Sequence, residues 1–378
     1  MGRIVLITET FFATLLCLPR PVAAVESVSV VMKPAFPEAR QPQVAVSPLG
    51  KVYLVFGAGN SIFCTVSDNG GKSFGQPSKV GQVGALALGM RRGPRIAAAE
   101  KSVVVTAVGG ERGHGQDGDL LAWRSDDGAK TWKGPVQVNG VPAAAREGLH
   151  HLAAAPDGTF YCVWLDLREK KTQVYGARST DGGDSWHDER LIYKSPDGSV
   201  CQCCQPQVAY GPDGGLHVMW RNQLSGNRDM YFVNSKDNGR TFDRAAKLGH
   251  GTWPLDACPM DGGGLACDTD GRVVTIWRRD KEIFRCSPGE SETLLGEGGQ
   301  GWAAAGADGV YLTWTTGRPG HVMLLRPNSD TPAELAERGS NCVVAGAANG
   351  KGPVIAAWEC ADNDGPDRIR AVVLDRGR

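Results

Sequence analysis

Two sets of residues in this sequence have types suited to chemistry. The first is a run of soft donors: Cys201-Gln202-Cys203-Cys204, with His150-His151 before it and His250, Cys258 and Met260 after it. Thiolate, imidazole and thioether groups suit copper or zinc. The spacing is not a zinc-finger pattern, and in an exported chain close cysteines pair with one another. The expectation is a disulfide knot between neighbouring loops, for instance Cys258 to one of the three, and no metal or cofactor is assigned. The second set follows a series of tryptophans. Trp164, Trp220, Trp277, Trp314 and Trp358 precede Asp166, Arg221, Arg278-Arg279, Thr315 and Glu359. The tryptophans read as packing. The arginines form an anion site if they converge on one axis, because a guanidinium fork holds two oxygens at once.

Convergence requires repeated elements, and the sequence has them. The form Ser-x-Asp-x-Gly-x-Ser/Thr-aromatic begins at Ser67 (with Asn69 in the Asp place), Ser125 (with Ala129 in the Gly place), Ser179 and Ser235. A near-constant spacing of more than fifty residues indicates a repeat architecture. Each copy reads as a turn in which Asp accepts backbone N–H groups, Gly takes a left-handed position and the aromatic anchors the turn. Before each copy stand three strands; unit three, for example, has His151 to Ala155, Phe160 to Trp164 and Gln173 to Arg178. Alternation and β-branched residues support them. Units five to seven keep the first hairpin and lose the turn motif. The last unit lacks a fourth strand, which Ser27 to Met32 is patterned to supply. The expected fold is all-β: a single β-propeller of four-stranded blades, seven by this count, with six as the alternative. The loops entering each first strand and the ends of each second strand then share one face and surround a central funnel, where ligand sites prefer to form.

The turn motif is the Asp box, or BNR repeat, and with it the chain resembles the sialidase superfamily. The resemblance extends to Arg95-Ile96-Ala97, the strand Val103 to Val108, Glu111-Arg112 and Asp117, and to Gln205-Pro206-Gln207, Pro212-Asp213-Gly214 and Arg221. It implies that Arg95, Arg112 and Arg221 bind a carboxylate, with Arg278, Arg279 or Arg285 as a further positive contact, and that Asp117 is the acid/base. Gln205 stands where the family has a Glu, and Trp302 where it has the Tyr nucleophile. The phrase from Trp253 to Gly262, with the Cys-x-Cys-Cys run, resembles a subgroup of exported bacterial sialidase-like proteins.

The chain has 378 residues and no formal net charge, which argues against a nucleic-acid partner. Arg3, the apolar stretch from Ile4 to Leu18 and Val22-Ala23-Ala24 read as a signal peptide over 1–24, leaving 25–378 as the propeller in a secreted or periplasmic monomer. No other apolar run is long enough to span a membrane. Ten cysteines remain without Cys17, and Cys342 and Cys360, equidistant from the turn at 349–352, are expected to pair. The expected function is recognition or hydrolysis of acidic, sialic-acid-like glycans through an arginine-lined funnel, of exo-α-sialidase type if enzymatic. The alternatives are a non-catalytic propeller binding carbohydrate or protein, and an envelope metal-handling protein using the Cys/His/Met loops.

Overall fold

The computed structural model describes residues 26–374. The expected signal segment 1–24 lies outside the described residues. Every regular element among them is a β-strand. A representative set comprises His150–Ala154, Phe160–Asp166, Gln173–Ser179 and His187–Tyr193, paired antiparallel in chain order. Phe160–Asp166 is buried along its whole length, as a strand covered on both faces must be, and its residues are mainly aromatic and β-branched or branched aliphatic.

Seven strands line one central channel of about 170 Å³, through residues 43–46, 95–98, 151–154, 208–210, 265–267, 302–305 and 344–348. Alanine recurs along this wall, at Ala45, Ala97, Ala98, Ala153, Ala154, Ala209, Ala266, Ala303, Ala304, Ala305, Ala345, Ala347 and Ala348. Strands that converge on an axis leave little room, so small side chains fit where leucine would overpack. The 13-residue strand Ala333–Ala345 serves two sets: its first half pairs with Gly320–Leu325 and its second with Ile355–Glu359. Val28–Met32 pairs with Asp367–Val373, so the chain's first described strand completes its last set, as its pattern indicated.

The turn motifs fold as expected and also join neighbouring sets. Ser179 Oγ donates to Asp181 Oδ1 and accepts from Gly183 N–H, both at 2.8 Å, while Ser185 N–H donates to the same carboxylate at 3.0 Å. Gly183 has φ +92°, and a Cβ there would come within 2.5 Å of Val104 in the preceding set. Gly239 presses in the same way on Tyr161, and Gly71 on Ile355, which joins the first set to the last. Glycine takes the left-handed backbone without strain and leaves room for so close an approach. In the second copy Ala129 takes the position, at φ +71° and buried.

One expectation fails here. Cys342 and Cys360 are both free thiols. The hairpin register pairs Val344 with Ala356 and Val343 with Ala357, two residues out of the register that would oppose the cysteines, and a bulge follows at 340–343. Cys342 is fully buried in the core, and burial pushes its thiol up to about 12. The other described cysteines are free as well, so the expected knot of Cys258 with the Cys201–Cys204 loop is not formed.

Candidate functional site

Antiparallel order puts the loops that enter the innermost strands on the face opposite the Asp boxes, around the mouth of the channel. Of the expected arginines Arg285 lies on the other face, beside the turn at 268–272, and those at the mouth are not free to meet a ligand together. Arg221 is buried, and its Nε, Nη1 and Nη2 donate to the main-chain oxygens of Asp261, Arg228 and Arg278 at 2.9, 2.7 and 2.8 Å. Arg95 is buried too, with donors directed to the oxygens of Arg91, Gly93 and Pro94. Burial and the nearby Arg91 push Arg95 down to about 9. Arg278 sits over the Trp253 ring at 5.5 Å and donates to Asp280 O. Arg279 is paired to Glu292 at 2.6 Å and Arg285 to Asp330 at 3.4 Å. The structure therefore joins Arg221 to Arg278, and Arg95 to Arg91, as fold-holding groups rather than as one anion clamp.

Asp117 and Arg112 lie together, 3.7 Å apart, in the loop between Val103–Gly110 and Asp119–Ser125. Asp117 accepts the N–H groups of Glu111, Arg112 and Gly113. The Arg112 and Gly113 N–H groups hold its carboxyl below the usual carboxylate range. A carboxylate so held favours its ionised form, the opposite of what a general acid needs. Asp117 is thus built as a loop cap. Gln205 is similarly structural: it is fully buried, and its Oε1 accepts Gly262 N–H at 3.2 Å. Trp302 packs under Arg91, 5.2 Å from its guanidinium, and against the His151 ring.

A different set of arginines surrounds an open cavity of about 510 Å³ at the same mouth. Its wall includes Arg40, Gln41, Gln300, Arg318, Arg338, Asn341, Glu359, Asp362 and Arg368. Arg40 and Arg338 are exposed. Among the described residues no hydrogen bond or ion pair holds the Arg40 guanidinium, and Arg338 has only Asp364, at 3.4 Å. Arg318 donates to Met260 O at 3.0 Å, and Arg368 to Ala39 O at 2.8 Å and to Asp362. Four guanidinium groups thus face two carboxylates. Glu359 accepts Gln41 N–H, and desolvation raises its carboxyl above the usual range despite Arg40 and Arg368. The sequence reading noticed Glu359 as a second-strand end but missed Arg40, Arg318, Arg338 and Arg368. Arg40 opens the first strand of its set as Arg95 opens its own, and that parallel was the available signal.

The cysteine loop also lies on this face. The Sγ atoms of Cys201 and Cys204 are 3.2 Å apart, those of Cys201 and Cys203 3.7 Å, and those of Cys203 and Cys204 4.0 Å. Contacts with Cys203 and Cys204 hold the Cys201 thiol well below the usual range, while contact with Cys201 pushes Cys203 above it and burial pushes Cys204 above it. The histidines do not join them. His150 contacts Thr106 and His151 lines the channel, where burial and Arg95 lower it to about 3, while the His250 main chain binds Glu292.

Comparison with known proteins agrees with this architecture. Residues 93–276 match the BNR repeat-like domain family. Comparison with curated proteins finds no significant match. Among solved structures, a protein of unknown function from Dyadobacter fermentans DSM 18053 has a TM-score of 0.54 at 15% identity, covering 93% of this chain and 99% of that one. The Penicillium chrysogenum α-L-arabinanase complexed with arabinobiose scores 0.54 at 13% identity, covering 93% and 98%. A mutant of the NanB sialidase from Streptococcus pneumoniae scores 0.50 at 13%, covering 95% of this chain and 71% of that one. At such identities the likeness is one of fold. The chain therefore shares the β-propeller fold of these structures, and its residues 93–276 resemble the BNR repeat-like domain.

Proposed function

We propose that this protein binds an anionic, sialic-acid-like sugar in the 510 Å³ cavity at the channel mouth. The observation that carries the reading is the excess of guanidinium groups there, with Arg40 unengaged and Arg338 weakly paired. The volume suits a monosaccharide, and a carboxylate held by a guanidinium fork is among the stronger polar contacts available. The sialidase and the arabinanase that share the fold act on different sugars, and the cavity's charge favours the acidic one. Binding rather than hydrolysis is assigned. Glycosidases use a pair of catalytic groups, whereas here Glu359 is the one recessed carboxyl, and Asp362 is exposed and tied to Arg368. Export through segment 1–24 belongs to this reading, since it would deliver the protein to the compartment where such glycans occur.

Calorimetry with N-acetylneuraminic acid and its neutral methyl ester tests the proposal. The acid should bind about tenfold or more tightly than the ester, the value of a charge-assisted hydrogen bond, and Arg40→Ala with Arg338→Ala should abolish the difference. Glu359 is raised, so its negative charge is lost as pH falls through its pKa. Affinity for the anion should therefore increase as the pH is lowered from 7 in the wild type and not in Glu359→Gln. Asp117→Ala should bind as the wild type does. Equal binding of acid and ester would overturn the reading, and turnover of a fluorogenic α-sialoside would replace binding with hydrolysis.

A further inference from the structure

We propose that Cys201, Cys203 and Cys204 bind one thiophilic d10 metal ion, Zn2+ or Cu+, as a trithiolate at the channel mouth, with Cys258 as the added donor for Zn2+. The three Sγ atoms lie 3.2 to 4.0 Å apart. Thiolates around a tetrahedral centre at the usual Zn–S distance of about 2.3 Å are separated by about 3.8 Å, whereas a disulfide requires about 2.05 Å. All three are buried, and all three offer their sulfur to one point. They are the group of close metal-ligand donors among the described residues. The other buried cysteines, such as Cys64, Cys162 and Cys342, are dispersed through the core and serve as packing.

The surroundings hold the three sulfurs in place. Asp261 N–H donates to Cys204 Sγ at 3.3 Å. The Arg221 guanidinium acts on both Cys201 and Cys204 as a neighbouring positive charge. Cys201 N–H donates to Arg221 O at 3.0 Å, and Val200 bridges to Asn222, so the cysteine loop is pinned to its own set. The loop that carries Cys258 and Met260 is locked against it: a Cβ on Gly262 would come within 2.0 Å of Gln205 O. Met260 packs on the three sulfurs, and the exposed Cys258, two residues before it, is the neighbouring thiol on that loop. An all-sulfur set with a thioether beside it selects soft ions over Mg2+, Ca2+ or Mn2+. On binding, each sulfur still protonated releases its proton and the Arg221 charge offsets part of the resulting negative charge. The site stands on these residues alone and does not depend on the sugar-binding reading.

The test uses the full chain purified anaerobically under reducing conditions, stripped with a chelator and given one equivalent of Zn2+ or Cu+. One ion per chain should survive dialysis, and mass spectrometry should show Cys201, Cys203 and Cys204 protected from alkylation. Cys203→Ser and Cys204→Ala should lose retention of both ions. Circular dichroism identifies any variant that has failed to fold, and Cys258→Ser, altered at the surface, keeps the test open in that case. It should lose about tenfold or more in Zn2+ affinity and leave Cu+ retention unchanged. A disulfide among the three in the protein as isolated would overturn the proposal. So would retention of either ion by folded Cys203→Ser at the wild-type level.

Discussion

Each nitrogen of the Arg221 guanidinium donates to a main-chain oxygen, and the acceptors come from Asp261, Arg228 and Arg278. Asp261 and Arg228 lie in loops and Arg278 near the end of the strand Val273–Arg279, and a buried carbonyl left without a donor costs about 1–3 kcal/mol. The planar fork is what reaches all three, while an ammonium is a compact charge with a different donor geometry. Arg221→Leu should therefore destabilise the protein by about 3 kcal/mol or more, and Arg221→Lys should recover little of that loss in urea unfolding. A Lys variant as stable as the wild type would return Arg221 to the list of ligand-binding groups. The sequence could not have decided this. It placed an arginine correctly at the end of the second strand, but two of the acceptors lie 40 and 57 residues away, in a loop and in the neighbouring set, where no local pattern places them. The same limit hid Asp117, whose three N–H donors are set by the path of its own loop.

At the scale of the element, the Asp-box turn was legible because all its partners lie within eight residues. Its acid sensitivity follows from the same contacts. Burial raises Asp181, but the Ser185 hydroxyl and N–H and the Ser179 hydroxyl outweigh it and hold the carboxyl at about 2. Thr131 holds Asp127 below the usual range in the same way, and Thr241 holds Asp237. A carboxyl depressed in the folded state contributes stability that is fully present above its unfolded pKa, about 3.9, and lost as pH falls through the folded value. The unfolding midpoint should thus drop between about pH 4 and pH 2. Replacing Asp127, Asp181 and Asp237 together by Asn, the residue already present at Asn69, should flatten that slope while lowering stability at neutral pH. An unchanged slope in the triple variant would assign acid unfolding to other carboxylates. The strand pattern was equally legible. The Cys342–Cys360 expectation failed because a two-residue difference in hairpin register, invisible in composition, decides which side chains oppose.

At the scale of the whole molecule, the ring is closed twice, by contacts that link the two ends of the chain. Val28–Met32 adds to Asp367–Val373 as the outer strand of the last set, and Arg370 reaches across to Ser27 O at 2.7 Å. Gly71 then packs the first set's turn against Ile355 of the last. A ring joined by side-by-side packing alone would expose an unpaired strand edge at its seam, and such edges invite pairing with other chains. Val31 is the buried side chain of the closing strand, 2% exposed and part of the core that joins the first and last sets, whereas Ser29, two residues earlier, is exposed. Val31→Asp would bury an unpaired charge at the seam and should cost about 3 kcal/mol or more. Ser29→Asp should stay within about 0.5 kcal/mol of the wild type. Because every set packs on two neighbours, opening the seam frees both flanking sets. The Val31→Asp protein should therefore show amide exchange accelerated first in Asp367–Val373 and Arg40–Val46, before Phe160–Asp166 across the ring. Uniform acceleration would mean that the ring opens as one unit and that the closing strand adds stability without holding the seam. Acceleration confined to the two flanking sets would identify that strand as the latch on which the channel mouth, and the cavity between the first and last sets, depend.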